Sequence, residues 1–178
     1  MTSLVVALLL TAEPLIVVAP FEVASDDPSD AHLGRAFASL VEADLKAAGV
    51  PLRTEDDLDS KNWGKIKGAS HLVTGTIVKL RGQLKIVARM IATPDAMIGS
   101  AAIKKEWNGR LPIARLVLKG LHKPVPAGLI ELKVEEALLR AWGDALAEGD
   151  PATAKKKVAD VVKRWPAFTP AKDRLAQL

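Results

Sequence analysis

Two continuous apolar runs open the chain. Residues 4–10 are wholly apolar and end on Thr11-Ala12, with Glu13-Pro14 beyond. Leu15-Ile16-Val17-Val18-Ala19 follows and is broken by Pro20-Phe21-Glu22. A short, wholly apolar, β-branched run predicts a central strand covered on both faces. Helical spacing then takes over: Leu33, Phe37, Leu40, Val41 and Leu45 share one stripe, predicting a helix that ends near residue 48. In the preceding loop, Ser25-Asp26-Asp27-Pro28-Ser29-Asp30, Ser29 or Asp30 is the expected N-cap, and the neighbouring carboxylates suit the positive helix end. Gly49 is the expected C-terminal cap. Val50-Pro51-Leu52-Arg53 predicts a second short strand, which completes a parallel strand–helix–strand crossover.

Residues 55–68 are polar and predict a short helix with Trp63 and Ile66 inward. Three strand-like runs come next, over 71–80, 84–92 and 97–107, joined by Arg81-Gly82-Gln83 and Thr93-Pro94-Asp95-Ala96. In the middle run Leu84, Ile86, Ala88 and Met90 alternate with Lys85 and Arg89, the pattern of a half-solvated antiparallel meander. A third helix is predicted over 111–121, and the prolines and glycine of 122–128 read as a linker. Beyond residue 132 the period is helical. Leu138, Leu139, Trp142, Ala145 and Leu146 line one helix that ends at Gly149, and Asp150-Pro151 starts the next. Val158, Val161, Val162 and Trp165 line that helix, Pro166 stops it, and Thr169-Pro170 begins a last turn. The predicted fold class is α/β with a mixed sheet: a strand–helix–strand unit and a three-stranded antiparallel meander with flanking helices, then a C-terminal αα-hairpin. The predicted organisation is an apolar leader over 1–12, an α/β domain over 13–122, a linker over 123–131 and a helical hairpin over 132–178.

The absence of Cys excludes disulfides, thiolate metal sites and a cysteine nucleophile. With no Tyr and only 3 Phe and 4 Trp, the chain lacks the rings of a stacking platform for single-stranded nucleic acid. The net charge of +4 conceals an asymmetry: residues 13–60 carry 11 acidic and 3 basic side chains, and residues 61–133 carry 3 acidic and 14 basic. Segments of opposite sign dock favourably within one domain, and a basic surface facing an anionic partner is the other reading.

Residues 1–12 have the apolar centre and small-residue exit of a secretory signal, which predicts export with cleavage near Ala12. No Lys or Arg precedes the run, and it is shorter than the usual ~15–30 residues. The alternative is a buried N-terminal strand or helix in a cytoplasmic protein. The run is also below the about 20 residues of a membrane span.

The strand ending in Val18-Ala19-Pro20-Phe21, the stretch Gly68-Ala69-Ser70-His71-Leu72-Val73-Thr74-Gly75-Thr76-Ile77, the strand Val87-Ala88-Arg89-Met90-Ile91 and the later Lys105-Glu106-Trp107 together resemble the amino-terminal domain of TolB and the related CsgG-like and FlgO-like envelope domains. The resemblance covers residues 14–121. It departs at Thr93-Pro94-Asp95-Ala96-Met97, where relatives often read Asp-x-x-Thr-Gly. The C-terminal hairpin resembles one tetratricopeptide unit, with Ala154 and Pro166 in place but Trp142 where that repeat takes a Gly or Ala. The resemblance implies a periplasmic or exported protein that serves an envelope assembly, as a subunit or accessory factor. Its partners would be other envelope proteins or further copies of itself, with peripheral contact to the membrane open.

Catalytic patterns are sparse. His32, His71 and His122 are isolated, without metal-ligand spacing. Ser70 adjoins His71, but neighbours in a regular strand point to opposite faces, so a nucleophile–base pair is not expected. There is no phosphate-cradling glycine loop and no G-x-S-x-G. The acidic runs at 25–30 and 55–59 lack EF-hand order and read as a helix entrance and a solvated loop. No catalytic residue, metal site or cofactor is therefore assigned. Lys79, Arg81, Lys85, Arg89, Lys104 and Lys105 cluster on the predicted meander, a face able to hold phosphates, lipid headgroups or an acidic protein if it is not simply solvated. Lys155-Lys156-Lys157 reads as a solvated helix stripe. The four Trp are core or interface anchors, and Trp142 or Trp165, if exposed, would be a protein-binding hot spot. The leading expectation is a non-catalytic protein-interaction module of the cell envelope. The alternatives are a basic nucleic-acid-binding module and, last, a small hydrolase with a dispersed site.

Overall fold

The computed structural model describes residues 14–53, 68–92, 96–104 and 106–178, with the side chains of Ala96 and Lys104 left out. The leader at 1–12, all but the last residue of the expected helical stretch at 55–68 with its Trp63 and Ile66, the acidic run at 55–59, the first three residues of the connector at 93–96 and Lys105 lie outside the described residues.

A mixed sheet carries the fold. Its strands are β1 (Leu15–Val18), β2 (Glu22–Ser25), β3 (Leu52–Arg53), β4 (Ala69–Leu80), β5 (Gln83–Ala92) and β6 (Ala96–Lys104). The order is β3-β1-β4-β5-β6, with β2 also on β4. β1 runs parallel to β3, as the crossover unit predicts, and it also runs parallel to β4. The β4–β5 and β5–β6 pairs are antiparallel, as the meander predicts. β4 and β5 are joined by Arg81 (φ 50°) and Gly82 (φ 73°), two left-handed residues of the kind that match strand twist in a tight hairpin. The third meander strand stops at Lys104, so Trp107, expected at its end, lies in the following loop.

β2 is an element the sequence did not announce. Pro20 interrupts the first strand, yet the chain resumes pairing with β4 two residues later, from Glu22 opposite Thr76 to Ser25 opposite Lys79. The detour is held by Ala19 N–H on the Val73 carbonyl (2.9 Å) and Phe21 N–H on the Gly34 carbonyl (3.2 Å). A Cβ on Gly34 would sit 1.9 Å from the Phe21 carbonyl oxygen, so this close approach requires glycine.

The helices are α1 (Leu33–Ala47), α2 (Leu111–Gly120), α3 (Glu136–Leu146), α4 (Pro151–Arg164) and α5 (Thr169–Gln177). The expected cap of α1 is corrected. Asp27, not Ser29 or Asp30, accepts the Ser29 N–H (2.9 Å) and starts a single 3-10 turn, Pro28–Asp30, before α1 begins at Leu33. Gly49, with φ 73°, lies just past the end of α1. Asp150 caps α4 by accepting the Thr153 N–H at 2.8 Å.

One buried cluster joins every layer. It takes Ile16, Val18, Val73, Ile77, Ile86, Ala88 and Met90 from the sheet, Phe37 and Leu40 from α1, Val117 from α2, and Leu138, Leu139 and Trp142 from α3. Val158, Val161, Phe168 and Ala171 extend it into α4 and α5. The C-terminal helices therefore pack directly on the α/β part. Each large apolar side chain so buried contributes about 1.5–3 kcal/mol. Aromatic edge contacts stitch the layers, with Phe37 5.1 Å from Phe21 and Trp142 5.5 Å from Phe168.

The segment that reads as a linker is anchored. The Glu131 carboxylate accepts N–H bonds from Gly109, Arg110 and Leu111 at the start of α2. Arg110, 1% exposed, donates to Asp44 (2.8 Å), to the Trp107 carbonyl (3.1 Å) and to the Leu132 carbonyl (2.6 Å). Burial pushes the Asp44 carboxyl above its ordinary value while the Arg110 guanidinium pulls it down.

Candidate partner-docking surface

The sheet sorts the predicted basic residues by strand parity. Antiparallel partners share a face. Lys79 is opposite Leu84, in the same series as Ile77 with Ile86 and Val73 with Met90, which is the helix-covered side. Lys85 and Arg89 belong to the other series, with Val87, and stand exposed on the outer face.

Lys79 is therefore not part of the basic outer surface expected for it. Its ammonium lies 3.2 Å from Asp30 and 2.5 Å from Glu136 on α3. Arg140, one turn along α3, reaches Asp30 (2.7 Å), Asp27 (2.9 Å) and Glu136 (3.0 Å) and also touches Ser29. Asp30 is fully buried and takes a further bond from the Ser25 hydroxyl at 2.6 Å. Trp107 Nε1 donates to Glu136 at 3.2 Å. The network clamps α3 against the acidic loop and the end of β4. Its charges respond accordingly. The Ser29 hydroxyl, then Arg140, hold Asp27 at about 2. Burial works to raise Glu136, but the bonds from Lys79, Arg140 and Trp107 outweigh it and hold the carboxyl below its ordinary value. Burial works to lower Lys79, and its bonds to Glu136 and Asp30 reverse the sign.

The outer face is different in kind. Lys85 is flanked in register by Val78 and Lys104, Arg89 by Thr74 and Ser100, and Val87 by Thr76 and Ala102. Ser100 and Ala102 are exposed. Neither Lys85 nor Arg89 has an ion-pair partner among the described residues. The register sets Lys85 opposite Lys104. Arg81, at the hairpin tip, is exposed, and its backbone N–H donates to Asp26 at 3.3 Å.

The two tryptophans separate likewise. Trp142 is 2% exposed and donates to the Ser39 hydroxyl at 2.6 Å, so it anchors α3 on α1 and presents no surface for a partner. Trp165 is half-buried and donates to Glu135 at 2.6 Å. It borders a shallow groove of about 190 Å³ with Ala141, Asp144, Lys157 and Arg164.

Ser70 and His71 do meet, contrary to the expectation from strand alternation: Ser70 Oγ and His71 Nδ1 are 2.9 Å apart. The cause is a register shift between Leu15 and Ile16, whose partners on β4 are Ala69 and His71; Ser70 is the extra residue and alternation fails there. The Ser70 hydroxyl also donates to the Leu15 carbonyl at 3.2 Å. The hydroxyl proton thus has a main-chain carbonyl as a competing acceptor, and the direction of the Ser70–His71 bond follows the imidazole tautomer. Neither residue lines the Trp165 groove or the larger cavity of about 440 Å³ between α1 and α5, which is bordered by Arg35, Glu42, Lys46 and Arg174. Among the described residues no group of three His, Asp or Glu side chains is placed to hold a metal ion. Among them, too, no helix is long and apolar enough to cross a membrane.

No family model matches the chain. No curated protein matches it either. Among solved structures it is similar in part to the PelC dodecamer from Paraburkholderia phytofirmans, with 18% identity, a TM-score of 0.42 and coverage of 63% of this chain and 89% of that one. It is similar to the lipoprotein GNA1162 from Neisseria meningitidis at 16% identity and a TM-score of 0.40, covering 61% and 94%. TolB from Acinetobacter baumannii is similar at 14% identity and a TM-score of 0.38, covering 61% of this chain and 27% of that one.

Proposed function

We propose that the chain is a non-catalytic interaction module of the cell envelope that docks another protein through the outer face of its sheet. The observation that carries this reading is the pair of exposed, unpaired cations Lys85 and Arg89 on a face that no described helix covers, with Lys104 in register beside Lys85. A sheet that pairs Lys79 with Asp30 and Glu136, yet gives Lys85 and Arg89 no counter-charge among the described residues, is suited to meet negative charge from outside. The outer face also offers Val87 and Ala102 beside the cations, so an anionic protein surface finds both charge and apolar contact there. Placement in the envelope is supported by the export-like run at 4–10 and by the TolB-like motif order over 14–121.

The test is crosslinking in intact cells from a photoreactive residue at Ala102, followed by fractionation. An adduct in the envelope fraction that disappears in the Lys85→Glu/Arg89→Glu double variant supports the reading. An adduct unaffected by the double variant, or a chain wholly in the cytoplasm, contradicts it. The same cations favour one other reading, nucleic-acid binding. It predicts affinity for duplex DNA that falls log-linearly with salt, with a slope of about −0.9 per phosphate contacted; no binding at low salt removes it.

A further inference from the structure

We propose that the partner is bound as an added β-strand on the free edge of β6, and that the added segment alternates acidic and apolar residues. The proposal rests on the reading of the outer face as a docking surface and names the mode and chemistry of the occupant.

β6 ends the sheet: among the described residues it pairs only with β5. Its nine residues, Ala96–Lys104, contain no proline and a single charge, at the last position. Natural edges are usually guarded by prolines, inward charges or brevity. The opposite edge, β3, is guarded by brevity, being two residues long. β6 has none of these three guards; its one irregularity is a register shift opposite Met90 and Ile91 that leaves Ile98 as an extra residue, and over the regular stretch from Gly99 to Lys104 its outward N–H and C=O groups offer a ladder to an extended chain.

Side chains on the two faces of β6 specify what that chain carries. On the outer face an added residue would stand beside Ser100 or Ala102, both exposed and each paired in register to β5 beside Arg89 and Val87. The added strand lies about 10 Å from β5, two strand spacings, a gap that a glutamate and an arginine side chain bridge together. Acidic residues on that face therefore reach Arg89 and Lys85. On the helix face the neighbours are apolar. Leu116 of α2 lies 2.8 Å from where a Cβ on Gly99 would be, and Ile98, 42% exposed, lies over Gly120. Period-2 alternation puts the acidic residues on one face and the apolar residues on the other. The same chemistry argues against a second copy as the occupant. β6 has no acidic residue, so pairing it with itself brings basic faces side by side.

The test titrates the full chain into a fluorescent nine-residue peptide of strictly alternating Glu and Val, read by anisotropy at low and at 0.5 M salt. Controls are a peptide of the same composition with its acids in one block, one with Lys in place of Glu, and two N-methylated forms, blocked at the Val or at the Glu amides. The expected result is binding that weakens with salt and falls at least tenfold for the block and Lys peptides. Methylation of one set of amides abolishes it and methylation of the other does not, because only alternate amides face β6. Lys85→Glu/Arg89→Glu lowers affinity at least tenfold with the circular dichroism spectrum unchanged. If neither methylation matters, the strand-addition proposal is overturned while docking on the outer face survives. If no acidic peptide binds at low salt, the proposal is overturned and the crosslink from Ala102 decides the wider reading separately. Binding indifferent to the double variant overturns both.

Discussion

Replacing Asp30 by Asn tests the ionic clamp that holds α3 to the sheet. The substitution keeps the shape of a fully buried side chain and removes its charge. The two cations concerned, Lys79 at 3.2 Å and Arg140 at 2.7 Å, keep Glu136, and Arg140 also keeps Asp27, but each loses a charged acceptor. Hydrogen bonds to charged groups are worth about 1.5–3 kcal/mol and neutral ones about 0.5–1.5. Two such downgrades amount to roughly 2–3 kcal/mol before screening. The cations are 20% and 27% exposed, so water recovers part of the loss and the expected cost is about 2 kcal/mol. With a urea m-value of about 2 kcal/mol/M, the unfolding midpoint falls by about 1 M with the slope unchanged. A double-mutant cycle with Arg140→Met should show a coupling of at least about 1 kcal/mol, because the two side chains are in direct contact. A midpoint shift below about 0.2 M, or additive single effects, would refute the view that this network holds the hairpin in place.

Acid should weaken the same clamp. Asp27 is held at about 2 and Glu136 below its ordinary value, so the stability they contribute is present above about pH 4 and is lost as pH falls through their folded values; urea midpoints taken from pH 6 to pH 2 at constant salt check it, and a flat profile contradicts it. Gly143→Ala should lower the thermal midpoint, since a Cβ there meets the His32 carbonyl oxygen at 2.6 Å across the α1–α3 contact; overpacking of this kind costs about 1–3 kcal/mol. Arg81→Asn should raise stability by a few tenths to about 1 kcal/mol, because Asn accepts the left-handed φ of 50° more readily in a two-residue hairpin; an unchanged midpoint would remove backbone strain as a factor at that turn. Arg110→Met should destabilise by about 3–5 kcal/mol, leaving the Asp44 carboxylate buried beside no cation.

The alternation of Leu84, Ile86, Ala88 and Met90 with Lys85 and Arg89 was enough to orient β5, because over this stretch one side of the strand is buried in the main core and the other is exposed at both cations. The parity of Lys79 was not legible, since it depends on a two-residue turn that sets it opposite Leu84. Asp30 reads in sequence as one more polar loop residue, and its burial is decided by Lys79 and by Arg140, 110 positions later along the chain. Four residues of β2 after a proline are too few to show a period, so that strand emerges only from its pairing with β4. The Ser70–His71 contact escaped the reasoning for the opposite cause: the alternation rule is sound for a regular strand, and β4 is irregular at that point. Arg110 and Asp44 carry no sequence signal at all, because a buried pair far apart in the chain resembles two solvated charges until the core closes around it.

The interaction-module reading is tested most directly by in-cell photocrosslinking from Ala102 on the outer face, with exposed Lys163 on α4 as the reference position. The account predicts a discrete protein adduct from Ala102, none of the same mass from Lys163, and loss of the adduct in the Lys85→Glu/Arg89→Glu chain while its abundance is unchanged. An adduct from Lys163 alone, or one from Ala102 that persists through charge reversal, would contradict it.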